Sequence, residues 1–375
     1  MDGTTWGIFA IIIIYLLGMV AVGLYYMKKN SSTGDYYLGG RKLGPIVTAM
    51  SAEASDMSSW LLMGLPGVAY LTGVADAAWT AIGLAIGTYL NWLIVAKRLR
   101  RYTVVAGNSI TIPEFFSNRY RDKSRILVAV SAIFIVIFFI PYTASGFAAC
   151  GKLFSTLFGV SYVPAMIVSA IVIVAYTALG GFSAASTTDL IQSIVMSFAL
   201  ICVVLFGVKT AGGTDVILSQ AGELPGYLSM TQTYMNGEAT EYGAIKIASM
   251  LAWGLGYFGM PHILLRFMAI EDEKKIKISR RIATVWVVIS MSVAIFIGIV
   301  GNNLSRNGAL QVLEGSDSEK LIITLGTLMS KSGFLGILVA GLIMSGILAC
   351  TMSTADSQLD RPLHQLGVGG VFALL

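Results

Sequence analysis

Residues 45–73 read PIVTAMSAEASDMSSWLLMGLPGVAYLTG, an apolar stretch with a polar seam through its middle. The stretch exceeds the roughly 20 helical residues that cross a hydrocarbon core of about 30 Å. Ser51, Glu53, Ser55, Asp56, Ser58 and Ser59 lie within it, and Gly64, Pro66 and Gly67 follow. A charge deep in a span costs about 3 kcal/mol or more unless it is paired or hydrated. A polar centre with helix breakers therefore points to a discontinuous membrane helix around a site. A second stretch has the same character. AIKIASMLAWGLGYFGMPHILLRFMAI (244–270) carries Gly254, Gly256, Gly259 and Pro261 near its middle.

Composition agrees with a membrane setting. Hydrophobic residues make up 56% of the 375, and only 12% are charged, against about 25% in soluble domains. Mean hydropathy is +0.78. So few charges cannot clothe a water-facing surface of this size. The net charge of +5 does not indicate nucleic acid, because the Lys and Arg residues sit between apolar runs. Cys150, Cys202 and Cys350 lie in or beside apolar runs without metal-ligand spacing, and two histidines argue against a His-based metal site. No phosphate-binding loop is present. The first apolar run lacks a basic leader and reads as a retained helix.

Nine runs are candidate crossings: 6–27, 45–71, 75–96, 126–148, 160–180, 188–210, 244–268, 282–302 and 333–356. Continuous apolar runs argue against a barrel, which shows short alternating segments. With the N-terminus outside, nineteen basic residues fall on the inner side and six on the outer. That asymmetry predicts nine crossings and a cytoplasmic C-terminus.

Asp56 is the sharpest candidate for chemistry. Carbonyls freed at a helix break beside it suit a hard cation; the bland alternative is a capping role. In MSTADSQ (352–358), Ser353, Thr354 and Asp356 offer further oxygens, although Ser and Thr in such helices often bond back to their own backbone. Trp253 and Tyr257, four residues apart on one helical face, could with Trp60 and Tyr142 wall a substrate cavity. Aromatics at this spacing are also common packing residues. His262 reads as a satisfied core residue, Asp189 as the cap that opens the run at 188, and Arg41 as an inner-surface anchor.

Five stretches carry a family resemblance: GGRKLGP (39–45), SAEASDMSSWLLMGLPG (51–67), DKSRIL (122–127), AWGLGYFGMPHILLRFMA (252–269) and MSTADSQL (352–359). They resemble the sodium/solute symporters, and within them the bacterial sodium/proline symporters. The resemblance implies an all-α polytopic membrane protein with a five-plus-five inverted repeat. In it 6–27 is an extra helix, 45–210 the first repeat and 244–356 a partial second repeat, within one domain spanning 1–359. It implies sodium ligation by Ala54, Met57 and Cys350 through backbone carbonyls, and by Ser353 and Thr354 through hydroxyls. It also implies coupling roles for Asp56, Ser58, Asp189 and Arg41, and a proline pocket at Trp60, Tyr142, Trp253, Tyr257 and Pro261. Ser59 departs from a glycine familiar in bacterial proline carriers. The tail 360–375, DRPLHQLGVGGVFALL, does not resemble the family and is expected to mark a truncated second repeat.

The function expected is sodium-coupled secondary active uptake of L-proline across the bacterial plasma membrane. No enzymatic step, no cofactor beyond the coupling ion and no obligate protein partner are expected. The open alternatives are symport of pantothenate, a sugar or a monocarboxylate, coupling to lithium or protons, solute sensing without transport, and a non-transporting fragment. The lipid bilayer is the expected surrounding.

Overall fold

The computed structural model describes residues 2–29 and 32–359. The predicted tail, 360–375, lies outside the described residues. Helix α1 (Gly3–Met27) starts where the Asp2 carboxylate accepts the Thr5 N–H at 2.8 Å, one of the orphan donors of a helix start. A short helix α2 (Thr33–Leu38) and one 3₁₀ turn (Gly39–Arg41) lead into α3 (Pro45–Met57). The run expected at 45–71 is broken, as its composition predicts. After α3 the chain makes a π turn at Trp60–Gly64 and resumes as α4 (Leu65–Thr72). Next come α5 (Val74–Asn91), a second π turn (Trp92–Ala96) and α6 (Lys97–Val105), which together form one candidate span longer than the 75–96 expected.

Helix α7 (Ile112–Tyr120) is short, and α8 (Ile126–Phe158) is a long apolar helix. The two runs expected at 160–180 and 188–210 are two helices, both included in the label α9 (Tyr162–Ala211), that meet at a kink with Gly181 at φ 62° and ψ −170°. A Cβ there would stand 2.8 Å from the Tyr36 carbonyl oxygen, so glycine serves both the bend and the close approach. Helix α10 (Thr214–Gly222) follows, then a hairpin of β1 (Gln232–Met235) and β2 (Glu238–Glu241). No strand was expected here, yet the turn carries a clear signal. Asn236 and Gly237 both have positive φ, 53° and 88°, as a two-residue hairpin turn demands.

The second interrupted stretch becomes α11 (Ala244–Leu251), α12 (Trp253–Gly256), a 3₁₀ turn (Tyr257–Gly259) and α13 (Pro261–Ala269), with a 48° bend. Helix α14 (Ile276–Arg306) is followed by α15 (Leu321–Ser330), an element not foreseen, and α16 (Phe334–Leu359). Among the described residues six helices are long and apolar enough to cross a membrane, or seven if the bent pair counts as one. The expected nine includes the broken 45–71 segment and the shorter apolar helix Tyr162–Ala175, which do not meet that length alone.

Helix α3 is the central shaft. Every residue from Thr48 to Met57 is buried, against α9, α13, α14 and α16. Its entrance is tied to the exit of α13: the Leu43 N–H donates to the Ala269 carbonyl at 3.2 Å, and the Glu271 N–H to the Leu43 carbonyl at 3.0 Å. The start of one interrupted segment is thereby fastened to the end of the other.

On the surface, Arg101 and Glu273 form an exposed ion pair at 2.7 Å. Hydrogen bonds from Arg101 hold the Glu273 carboxyl below its ordinary value, so any stability it lends is present near neutral pH and is lost as the carboxylate protonates. Exposed pairs contribute little. Glu273→Gln is expected to leave the thermal unfolding midpoint unchanged at neutral pH, measured by circular dichroism in detergent.

Candidate functional site

A helix end leaves its last four carbonyls without intrahelical partners. In α3 those belong to Ala54, Ser55, Asp56 and Met57, and the chain then turns at Ser58 with φ 47° and ψ −171°. That positive φ is rare for a residue with a side chain. It stops the helix inside the bundle, among buried residues. Two neighbouring helices supply hydroxyls there. The Ser353 hydroxyl of α16 lies 2.8 Å from the Ala54 carbonyl oxygen and 3.1 Å from that of Cys350. The Tyr142 hydroxyl of α8 donates to the Asp56 carbonyl at 3.1 Å. Thr354 donates to the Cys350 carbonyl at 3.2 Å.

Ala54, Cys350, Ser353 and Thr354, which the family resemblance assigns to sodium, are therefore brought together across α3 and α16. Met57 stands in the same last turn. The set is made of neutral oxygens only, the donors a hard monovalent cation accepts. Each hydroxyl can turn its proton away and present a lone pair.

Next to this junction lies a cavity of about 560 Å³. Asp56, Ser58, Trp60, Tyr142 and Trp253 line it. The Trp60 and Trp253 rings stand 5.2 Å apart at 34°. Among the described residues no Lys or Arg pairs with Asp56. At the rim Lys152 donates to Glu319 at 2.6 Å and to the Ser316 carbonyl at 3.0 Å, which ties α8 to the loop before α15. This pair was not foreseen.

Two residues expected in the pocket sit elsewhere. Tyr257 does not join Trp253 at the cavity; it opens the 3₁₀ turn that follows α12. Its side chain is 1% exposed and donates to the Glu53 carboxylate at 2.7 Å, where the Trp92 indole N–H also donates at 3.2 Å. Glu53 is thus fully buried. Pro261 is buried at the first turn of α13, where its missing N–H is no loss. Neither residue lines the cavity.

Asp189 is not a helix cap. Residues 180–211 are helical past the bend, and the Asp189 carboxylate accepts from Ser51 at 2.6 Å and from Arg266 at 2.9 Å. Arg266, expected on the inner surface, is 1% exposed. It also donates to Ser51, to the His262 carbonyl and to Ser357, and lies over the Phe182 ring at 5.2 Å. One guanidinium thereby joins α3, α9, α13 and α16. The signal was available: Arg266 stands alone in HILLRFMA, an expense comparable with that of Asp56.

Arg41 is more than an anchor. It donates to the Met268 carbonyl at 2.7 Å, the Ser109 carbonyl at 2.8 Å and the Asn108 side chain at 3.2 Å. Burial, with the nearby Arg100, pushes its guanidinium down to about 10, so it stays charged at neutral pH. It pins the α6–α7 loop to the end of α13. His262 is buried, with its ring edge-on to Phe139 at 5.7 Å.

Comparison with known proteins bears on this arrangement. The profile of the "Sodium:solute symporter family" matches residues 36–361. A protein named "Sodium/proline symporter" from Salmonella typhimurium is 40% identical over 347 residues, 92% of this chain and 66% of its own length. The "Osmoregulated proline transporter OpuE" of Bacillus subtilis is 40% identical over 346 residues, 92% of this chain and 67% of its own. A "Sodium/proline symporter" of Staphylococcus aureus is 38% identical over 355 residues, 94% of this chain and 66% of its own. The chain thus spans about two thirds of the length of these relatives. A solved structure described as the "Substrate-bound outward-open state of a Na+-coupled sialic acid symporter" superposes with a TM-score of 0.76. It shares 19% identity and covers 98% of this chain and 74% of the other, a likeness of fold.

Proposed function

The chain belongs to the sodium:solute symporter family, and from that premise we propose that it takes up L-proline across the bacterial plasma membrane, driven by inward sodium flow. The observation that carries this reading is the α3–α16 junction. There Ser353 meets the Ala54 carbonyl at 2.8 Å beside a cavity lined by Asp56, Trp60 and Trp253. Sodium is cargo in this scheme. Its arrival turns the Ser353 and Thr354 protons away, and lone pairs replace them around the ion with the carbonyls of Ala54, Met57 and Cys350. The Asp56 carboxylate supplies negative charge close by, and a bound cation relieves its burial.

The solute occupies the neighbouring cavity. Trp60 and Trp253 give apolar faces for a pyrrolidine ring, while Ser58 and Tyr142 give polar contacts. Sodium and solute share α3, so each favours the conformation that the other binds, and the coupling is reciprocal. The N-terminus lies outside and the described C-terminal end of α16 faces the cytoplasm. Removing buried Arg266 from the basic count still leaves eighteen inner against six outer residues.

Equilibrium binding of radiolabelled proline to the purified chain tests this, in sodium or choline chloride at equal ionic strength. Sodium is expected to tighten proline binding about tenfold, and Ser353→Ala with Thr354→Ala to remove that gain. Equal affinity in both salts contradicts the coupling. Displacement by pantothenate, a sugar or a monocarboxylate, but not by unlabelled proline, reassigns the substrate.

A further inference from the structure

A groove of about 480 Å³ runs along the outside of the bundle between α9 and α14, away from the candidate transport site. Arg281 stands at one end, and Val285, Ile289 and Val293 continue along the same wall. Those positions recur every four residues, as one helical face does. Leu200 and Ile201 of α9 form the opposite wall, and Met50 of α3 also contributes. The polar groups in the groove are already used. The Trp286 indole N–H donates to Ser197 at 2.9 Å, and the Ser290 hydroxyl to the Val287 carbonyl at 3.2 Å. What remains is hydrocarbon: Val285 and Ile289 are 57% and 58% exposed.

The Arg281 end is of opposite character. Lys274, Lys275, Lys277, Arg280 and Arg281 cluster at the start of α14. Lys275 is paired with Glu271 at 2.7 Å, and Arg280 lies over the Tyr89 ring at 5.0 Å. Among the described residues Arg281 makes no ion pair. From Arg281 to Val293 the helix rises about 18 Å, close to the half-thickness of a bilayer core of roughly 30 Å. A cationic end joined to an apolar channel one leaflet deep complements one molecule class.

We propose that this groove binds an anionic phospholipid of the leaflet at the basic end of α14. Arg281 meets the phosphate, and one acyl chain lies along Val285, Ile289 and Val293 against α9. Basic pockets between membrane helices are a recognised mode of lipid headgroup binding. Because Met50 belongs to α3, the lipid also touches the helix that carries the proposed sodium carbonyls.

The test uses the purified full chain in nanodiscs of phosphatidylcholine, with or without phosphatidylglycerol, read by native mass spectrometry of retained lipid. Retention of one phosphatidylglycerol is expected. Arg281→Gln should weaken it about fivefold, whereas Arg281→Lys retains most of it. Ile289→Trp fills the channel and should displace the lipid with every charge intact. Both variants are checked for unchanged helix content and unfolding midpoint in phosphatidylcholine alone. Retention unaltered by Arg281→Gln and Ile289→Trp would mean diffuse attraction to a basic surface, and overturns the site. Displacement by inorganic phosphate reduces it to an ion site, and a change of oligomeric state in Ile289→Trp reassigns the groove to a second copy; either overturns the lipid. The readout involves no transport, so its failure leaves the symport reading untouched.

Discussion

Arg266→Met is expected to destabilise the folded chain by about 3–5 kcal/mol, the cost of leaving one member of a buried ion pair alone. Arg266 and Asp189 are 1% and 0% exposed, with N–O 2.9 Å. Removing the guanidinium leaves the buried Asp189 carboxylate leaning on the Ser51 hydroxyl, and it strips a donor from Ser51, Ser357 and the His262 carbonyl. Replacing both charges is a different experiment. An apolar pair of similar volume in place of a buried ion pair is often neutral for stability. Arg266→Met with Asp189→Leu should therefore recover most of the lost stability, measured as a detergent unfolding midpoint, yet not recover sodium-dependent proline binding. Recovery of both would show that the network only holds the helices together.

The second large effect is steric. Helix α12 crosses α5 at glycine on both sides. A Cβ on Gly254 would come within 2.0 Å of the Gly83 carbonyl oxygen, and one on Gly87 within 2.3 Å of the Gly254 carbonyl oxygen. Both obstacles are backbone and cannot swing aside. Gly254→Val should force the helices apart at about 3 kcal/mol and carry Trp253 away from Trp60, so proline binding is lost. Gly256 and Gly259 make the contrast. An added Cβ there meets nothing within 4 Å, so Gly256→Ala should bind proline as the unaltered chain does. Equal loss in both variants would mean that helix breaking matters and close crossing does not.

These two cases separate what the residues reveal in one dimension from what they reveal only in three. The two interrupted segments were legible, because serines, glycines and prolines clustered inside an apolar span free backbone groups that lipid cannot satisfy. The meeting of Ala54 with Ser353 followed only from family resemblance, since a separation of 299 residues leaves no trace in spacing. The glycines of AWGLGYFG looked alike in sequence, yet one is a contact point and two face open space. Tyr257 was misplaced because spacing along a helix does not reveal its partner: its hydroxyl is taken by the buried Glu53 carboxylate, 204 residues away in sequence. Asp189 and Arg266 each fitted an ordinary local role, a cap and a basic anchor, and only three-dimensional proximity unites them. The Asn236-Gly237 hairpin was readable but lay in a loop outside the membrane pattern.

The central claim is that α3 and α16 form a sodium site coupled to a solute cavity. It is tested most directly by radiolabelled proline uptake in cells that lack their own proline carriers, with this chain present in the membrane and the sodium gradient on or off. The account predicts uptake that requires the gradient and disappears in Asp56→Ala at equal membrane abundance. Uptake that persists without sodium, or in Asp56→Ala, would contradict it.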